Sequence, residues 1–452
     1  MNDCLRQVTA FTLQQAADDF PESALQRAAY LLLDTLGIAA AATALDAGRI
    51  ARDVATQLYG AGDAANTARL MFDGRKVSLA GAAYAATTQI DNLDGHDGYN
   101  PTKGHIGVAA VPALVCLSET LPGLSGRDAL AATVAGYEIA GRAAIALHAT
   151  VADYHTSGAW NALGIAAMAA RLWQLSGDEL RQALGIAEYH GPRSQMMREI
   201  ANPTMLHDGS GWGAIVGISA AVLARAGFTG APAITLEADE VKAHWADLGS
   251  FWQVEHQYIK PYPICRWAHA AVDATRQLCS DHGIAGEQIE AVRVNSFHEA
   301  ACLFEGMPDT TSKAQYSLQF AVATMIAHGR IGTEHITGEG LSDPVVAALV
   351  ERIVVTENGN YSARFPRSRL ADVSITLRDG RAFESGETHA RGGPEVPLSD
   401  DEIVYKFHEF ADPCLERERA RAIVDAVMHL TAPESRFADV AELLFQPANG
   451  HR

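Results

Sequence analysis

The chain has 452 residues, 48% hydrophobic and 20% charged, with no low-complexity tract; this is the composition of a folded globular protein, and the length calls for two domains. Its net charge of −19, from 54 acidic against 35 basic residues, argues against a nucleic-acid surface or an anionic membrane partner, since both attract basic patches. An anionic small molecule would need a local group of cations set against that field.

The start, "MNDCLRQVTAF", has no basic stretch leading into an apolar one, so no signal peptide is expected. The longest uncharged runs, such as "VSLAGAAYAATTQI", stop short of the roughly 18–20 residues a membrane span requires. The six cysteines (Cys4, Cys116, Cys265, Cys279, Cys302, Cys414) are scattered and form no C-x-x-C. They fit reduced thiols and provide no zinc or iron–sulfur spacing. The expected compartment is the cytoplasm.

To about residue 260 the pattern reads as helix. "PESALQRAAYLLLDTLGIAAAATA" opens with Pro21 in a first-turn position and puts Leu25, Ala28, Ala29, Leu32 and Leu33 on one face. Ala-rich segments at 77–90, 109–119, 128–147, 157–174, 178–188 and 211–226 follow, separated by Gly, Pro, Ser and Asp. The texture changes after "KPYPICRWAHAAVDATRQLC". Lys260 to Pro263 must be extended, because each proline disfavours helix in the residue before it. A helix from about Arg266 is followed by the strand-like runs "IEAVRVNSF", "RIVVTEN" and "DVSITLRDGRAFESG", the last with Asp379-Gly380 as a hairpin turn. One helix is expected among them at about 314–329. Beyond "GGPEVPLSDDEIVYKF" the chain turns helical again. The expected fold is mostly α with a smaller α/β lid: a helical domain of residues 1–264, rejoined by 396–452, and an α/β domain of residues 265–395.

Several familiar patterns fail on context. "GSGWGAIVG" has dinucleotide-loop spacing, but "ANPTMLHD" precedes it where a strand is required. "HEAAC" lacks the second histidine of a zinc protease, and "IDNLDGHDGYNPTKGHIG" does not meet the EF-hand spacing. This last run, Ile90 to Gly107, holds Asp91, Asp94, Asp97, His96, His105 and Lys103 among four glycines. A Gly-rich loop pinned by helices at both ends is a common seat of catalytic groups. His105, between two glycines, is expected exposed and titrating near neutrality. A metal site built from Asp91, Asp94 and His96 and a plain solvated loop are the other readings. Elsewhere, Lys260 is held by two prolines and is one of only six lysines. Cys265, Arg266 and His269 lie at the next helix start, Tyr316 offers a phenol at the head of a helix, and Arg193 follows a Gly-Pro break where it could bind a carboxylate.

In order and spacing these pieces resemble the MmgE/PrpD family. The elements that carry the resemblance are "LLLDTLGIA", the Asp91-to-His105 loop followed by "GVAAVPALVCLSE", "LHDGSGWGAIVGISAAVLARAGFTG", "KPYPICRWAHAAVDA" and "QYSLQFAVA". The resemblance implies a large helical domain and an α/β lid with the site in the cleft between them, and a homodimer. It marks Asp91, His105, Lys260 and Tyr316 as catalytic positions, with His269 nearby. Asp91 is then expected to orient His105. Asp94, His96, Lys103, Arg193, Arg266 and His269 are the expected substrate-binding positions. The shared chemistry begins with a proton moving on carbon next to a carboxylate, and is expected here without metal or organic cofactor. "DNLDGHDGYN" is rewritten relative to the hydroxy-acid enzymes, and Thr204 and Met205 stand where a lysine is common. These departures put epimerisation of an iminodisuccinate-like substrate first, with dehydration of a 2-methylcitrate-like acid as the alternative. A non-catalytic carboxylate-binding protein is the third reading.

Overall fold

A computed structural model describes residues 3–449. Helices dominate up to residue 250. Their starts are set locally: Ser125 accepts from the Asp128 amide, and Ser176 forms a reciprocal cap with Glu179. The helices Gly126–Thr150 and Gly158–Leu172 pack through small residues. At Gly164 a Cβ would lie 2.7 Å from both the Ala140 methyl and the Gly136 carbonyl, so the close approach depends on glycine. Gly126–Thr150 is long and apolar enough to cross a membrane, yet nearly all of it is buried inside the protein, as for a core helix. Within the span expected as wholly helical, Thr67–Arg69 and Lys76–Ser78 form a two-stranded hairpin instead. Its turn is a left-handed one at Phe72 and Gly74, which a helical-period reading overlooks.

The second part is built on a mixed sheet. Its strands run Ile353–Glu357, Ile289–Ser296, Leu370–Leu377, Ala382–Glu384 across the sheet, with Thr388–His389 pairing the start of the third. The first pair is parallel (Val294 opposite Val355) and the second antiparallel (Val294 opposite Val373). Val373, Ile375 and Leu377 alternate inward, and Gly380, at φ 89°, turns the chain into the last strand. Helices His269–His282 and Leu318–His328 pack against the sheet. The single helix expected at 314–329 is two, Thr311–Gln315 and Leu318–His328, because Ser317 caps the second through the Phe320 amide. The helix Asp400–Ala411 lies against Glu22–Ala41. All six cysteines are unpaired thiols.

Candidate active site

Between the helical part and the sheet-bearing part lies a small, tightly lined cavity. The first part contributes Asp94, Lys103, His105, Tyr154, Asp208, Tyr258 and Lys260; the second contributes Cys265, Arg266, Tyr316 and Arg369.

The segment that links Leu79–Asp91 to Gly107–Ser118 forms one wall. It is not the exposed loop its glycines and charges suggest: between Asp91 and Ile106 only Asn100, Pro101 and Lys103 escape burial. Gly98 exchanges two main-chain hydrogen bonds with Tyr258. A Cβ there would meet the Tyr258 hydroxyl at 2.4 Å and His105 Nδ1 at 2.7 Å, so a side chain would displace both. Two lysines reach in from elsewhere: Lys260 Nζ donates to the Asp94 carbonyl at 2.9 Å and to its carboxylate, and Lys406 Nζ donates to the Gly95 carbonyl at 2.7 Å and to Asp34.

His105 is buried, and its Nδ1 donates to the Asp97 carbonyl at 2.6 Å. A carbonyl can only accept, so the ring proton sits on Nδ1 and Nε2 presents a lone pair. Asp208 Oδ2 lies 3.5 Å from Nε2. Burial first, then the charges of Lys260 and His96, hold the imidazole well below its ordinary 6.5. Burial first, then Asp91 and Asp94, push the Asp208 carboxyl well above 3.8. These opposite shifts favour the shared proton on Asp208 over His105, as a neutral couple. Asp208 is positioned by its surroundings: its carbonyl accepts from the Gly158 amide, Ser157 faces its carboxyl, and it stands between His207 and Gly209, both left-handed.

Asp91 does not orient His105. Its Oδ2 accepts from the Ser210 amide at 3.1 Å and its Oδ1 lies 3.7 Å from His96, so it anchors the start of the helix Ser210–Arg225 and leaves the histidine to Asp208. Asp91, Asp94 and His96 face different partners and do not converge as metal ligands would. His96 is fully buried behind His105, edge to face at 4.6 Å, and burial then Lys260 lower it to about 3; it is a neutral spacer off the cavity. His269 is also off the cavity, fully buried with Nε2 on the Ile264 carbonyl. Arg193 lies at the surface, 3.8 Å from Glu188.

The remaining expected positions do meet. Burial pulls the Lys260 ammonium down, and Asp94 together with Tyr258 and Cys265 more than offsets it, so it stands above 10.5 and charged. Arg266 donates to the carbonyls of Arg391 and Ala390 beneath the Tyr258 ring. Tyr316, at the break between its two helices, lines the wall as a buried phenol. Lys103, at φ 57°, lays its ammonium 4.4 Å over the Tyr154 ring. The cavity thus gathers four cations, Lys103, Lys260, Arg266 and Arg369, against Asp94 and Asp208. This is the local cluster that the net charge of −19 requires for an anionic ligand.

Sequence profiles of the MmgE/PrpD N-terminal domain match residues 6–250, and those of the MmgE/PrpD C-terminal domain match residues 262–430. The chain belongs to the MmgE/PrpD family. Among curated relatives of this MmgE/PrpD protein, cis-aconitate decarboxylase of Homo sapiens is 25% identical over 90% of this chain and 87% of its own length. That of Mus musculus is 25% identical over 77% and 75%, and that of Aspergillus terreus 22% identical over 95% and 92%. Asp208, Tyr154, Tyr258 and Arg369 were not among the candidates drawn from the sequence. Asp208 stands inside the family-like "LHDGSGWG" run and could have been noticed there; Arg369, in "PRSRLADV", is one arginine among many.

Proposed function

We propose that this chain is a lyase that takes a small polycarboxylate through a carbanion next to a carboxylate, with CO2 or water as the group lost. The observation that carries this is the approach of His105 Nε2 to Asp208 Oδ2, 3.5 Å apart, in a cavity with four cations. The relatives' name, cis-aconitate decarboxylase, supports the lyase alternative over the epimerase that the rewritten loop put first. Such a carbanion is stable only where fixed positive charge and donors receive it out of water. In decarboxylation the C–C bond to CO2 breaks, its electron pair stays on carbon beside Lys260 and Arg266, and the Asp208–His105 couple protonates that carbon. In dehydration His105 Nε2 takes the α-proton, and Tyr316 or Asp208 protonates the departing hydroxyl.

A single acid–base couple serves a lyase, whereas an epimerase needs a group on each face of the carbon, and the second candidate, Lys260, is committed to Asp94. Incubation with cis-aconitate and with 2-methylcitrate in heavy water tests the reading by NMR. A lyase gives CO2 with one deuterium in the product, or a conjugated alkene. Solvent deuterium at the α-carbon of an otherwise unchanged substrate would replace the lyase with the epimerase. Release of neither product nor label would leave the carboxylate-binding reading. The proposed assembly is a homodimer, which would cover exposed apolar side chains of the helical part such as Leu206 and Trp212; a monomer at sedimentation equilibrium would end that part.

A further inference from the structure

Arg369 precedes the strand Leu370–Leu377 and is 5% exposed. Of its donors only Nη1 has an acceptor, the Tyr258 hydroxyl at 3.3 Å, while Nε and Nη2 have none. Other buried cations are better met: Lys260 by Asp94, Lys406 by Asp34, Arg142 by Glu138, Arg52 by Asp73, and Arg266, with its Nε alone idle, by two carbonyls. A buried charged donor without an acceptor bears its full desolvation cost, and two such nitrogens on one guanidinium call for a missing anion. The two idle nitrogens are also the pair that fits one. At Arg69–Glu119 and Arg75–Asp73 the same Nε and Nη2 hold a carboxylate side-on.

Lys103 is also a cation with no acid in ion-pair contact, its ammonium resting on the Tyr154 ring in the same cavity. Burial first, offset by Glu299 and reinforced by the Arg369 charge, lowers it; the two like charges line one cavity. Lys260 and Asp94 cancel, and Asp208 holds its proton beside His105. What remains unbalanced is Lys103 and Arg369, with Arg266 behind them.

We propose that Arg369 and Lys103 form one carboxylate subsite, a cation from each part of the chain, which binds a carboxylate that the substrate retains through the reaction. The proposal rests on the polycarboxylate reading above and makes Arg369 a specificity-determining residue: it selects acids with a carboxylate remote from the reacting carbon, and it ties the sheet-bearing part to the loop wall when one is bound.

The test reads binding without turnover. Isothermal titration calorimetry with propane-1,2,3-tricarboxylate, an unreactive probe, compares the wild type with Arg369→Gln, Arg369→Lys, Lys103→Met and the pair Arg369→Gln/Lys103→Met; Arg193→Gln serves as the surface control. Arg369→Gln and Lys103→Met should each weaken binding about 10- to 100-fold, as for charged hydrogen bonds. The double variant should lose less than the product of the two, because both touch one carboxylate. Arg369→Lys, which keeps charge and loses the fork, should fall between, and it stands in if the Gln variant does not fold. Loss within threefold for Arg369→Gln, full additivity in the double variant, or no binding to the wild type at 10 mM probe would each overturn the subsite. If the variants lose binding while the wild type turns over no candidate acid, the subsite stands and the lyase reading falls. If the wild type turns over and Arg369→Gln binds normally, the subsite alone falls.

Discussion

Replacing Asp208 by Asn separates the proton from the shape. The amide has the size of the carboxyl and can still accept from Ser157, and the main-chain bond from Gly158 to the residue 208 carbonyl is untouched. What disappears is the one proton that the couple with His105 Nε2, at 3.5 Å, can move. Positioned acid–base groups contribute about 10²–10⁴-fold, so kcat should fall by that factor, about 3–5 kcal/mol of barrier at 1.36 kcal/mol per decade, with KM little changed. The pH profile adds a second reading. Burial, then Asp91 and Asp94, raises Asp208 well above 3.8, so its acid form persists to higher pH than an exposed aspartate's and is lost as pH rises through the raised value. His105 is held well below 6.5 and stays neutral over the same range. The wild-type rate from pH 5 to 9 should therefore show one descending alkaline limb, and the Asn variant a low rate without it. Initial rates with the best polycarboxylate substrate, measured across pH, decide the matter. A variant within threefold of the wild type, or one that keeps the alkaline limb, would mean that Asp208 carries no proton in the reaction.

Two further predictions concern what holds the loop. The Asp97 carboxyl is pushed from 3.8 up to about 7 by burial and then by Asp34, so the folded state binds this proton more tightly than the unfolded chain. That contribution is fully present below about pH 4 and is lost as pH rises through about 7, to a total of about 4 kcal/mol. His96 and His207, lowered to about 3 and about 4 mainly by burial, act in the opposite sense below 6.5. The measurement is therefore the difference in urea-unfolding free energy between the wild type and Asp97→Asn, which should grow against the wild type from pH 4 to 8; parallel curves would show that Asp97 is ionised when folded. Lys406→Met removes a donor from Gly95 and leaves Asp34 buried alone. Breaking a buried pair from one side costs about 3–5 kcal/mol, part of which Asp34→Asn in the same chain should restore; a loss under about 1 kcal/mol in urea would place the pair in solvent.

The fold was more legible than the site. Helical periodicity, the Asp379-Gly380 turn and the alternation in Val373, Ile375 and Leu377 are local signals, and each lies where the pattern put it. The break at Tyr316–Ser317 was missed because a cap by Ser317 competes with an apolar run that continues through it. In the site the loop residues His105, Lys103 and Asp94, together with Lys260, Arg266 and Tyr316, do line one cavity. The pairings among them were not legible. Asp91 and His105 are 14 positions apart, and the family resemblance led to their being expected as partners; the residue that faces Nε2 is Asp208, brought by a helix start more than a hundred positions away. Burial was the other blind spot. Glycines and charges read as solvent-exposed loop, whereas Asp94 of this loop pairs with Lys260 and the Gly95 carbonyl accepts from Lys406, each distant in sequence.

That burial explains how a chain of net charge −19 can hold an anion. At a Debye length of about 8 Å in physiological salt, exposed acids on the far surface are screened from the cavity, while charges inside it act through protein and interact more strongly. The balance that matters is local, and it is set by protonation as much as by composition. Asp94 is spent on Lys260, and burial keeps the Asp208 proton in place, so two acids on the wall cost the site only one positive charge. An exposed Asp208 would ionise, repel a carboxylate ligand and lose the proton that the proposed lyase step would use. The same desolvation that keeps the carboxyl an acid to higher pH thus leaves Lys103, Arg266 and Arg369 free to attract the substrate, and affinity and proton donation should weaken together as pH rises.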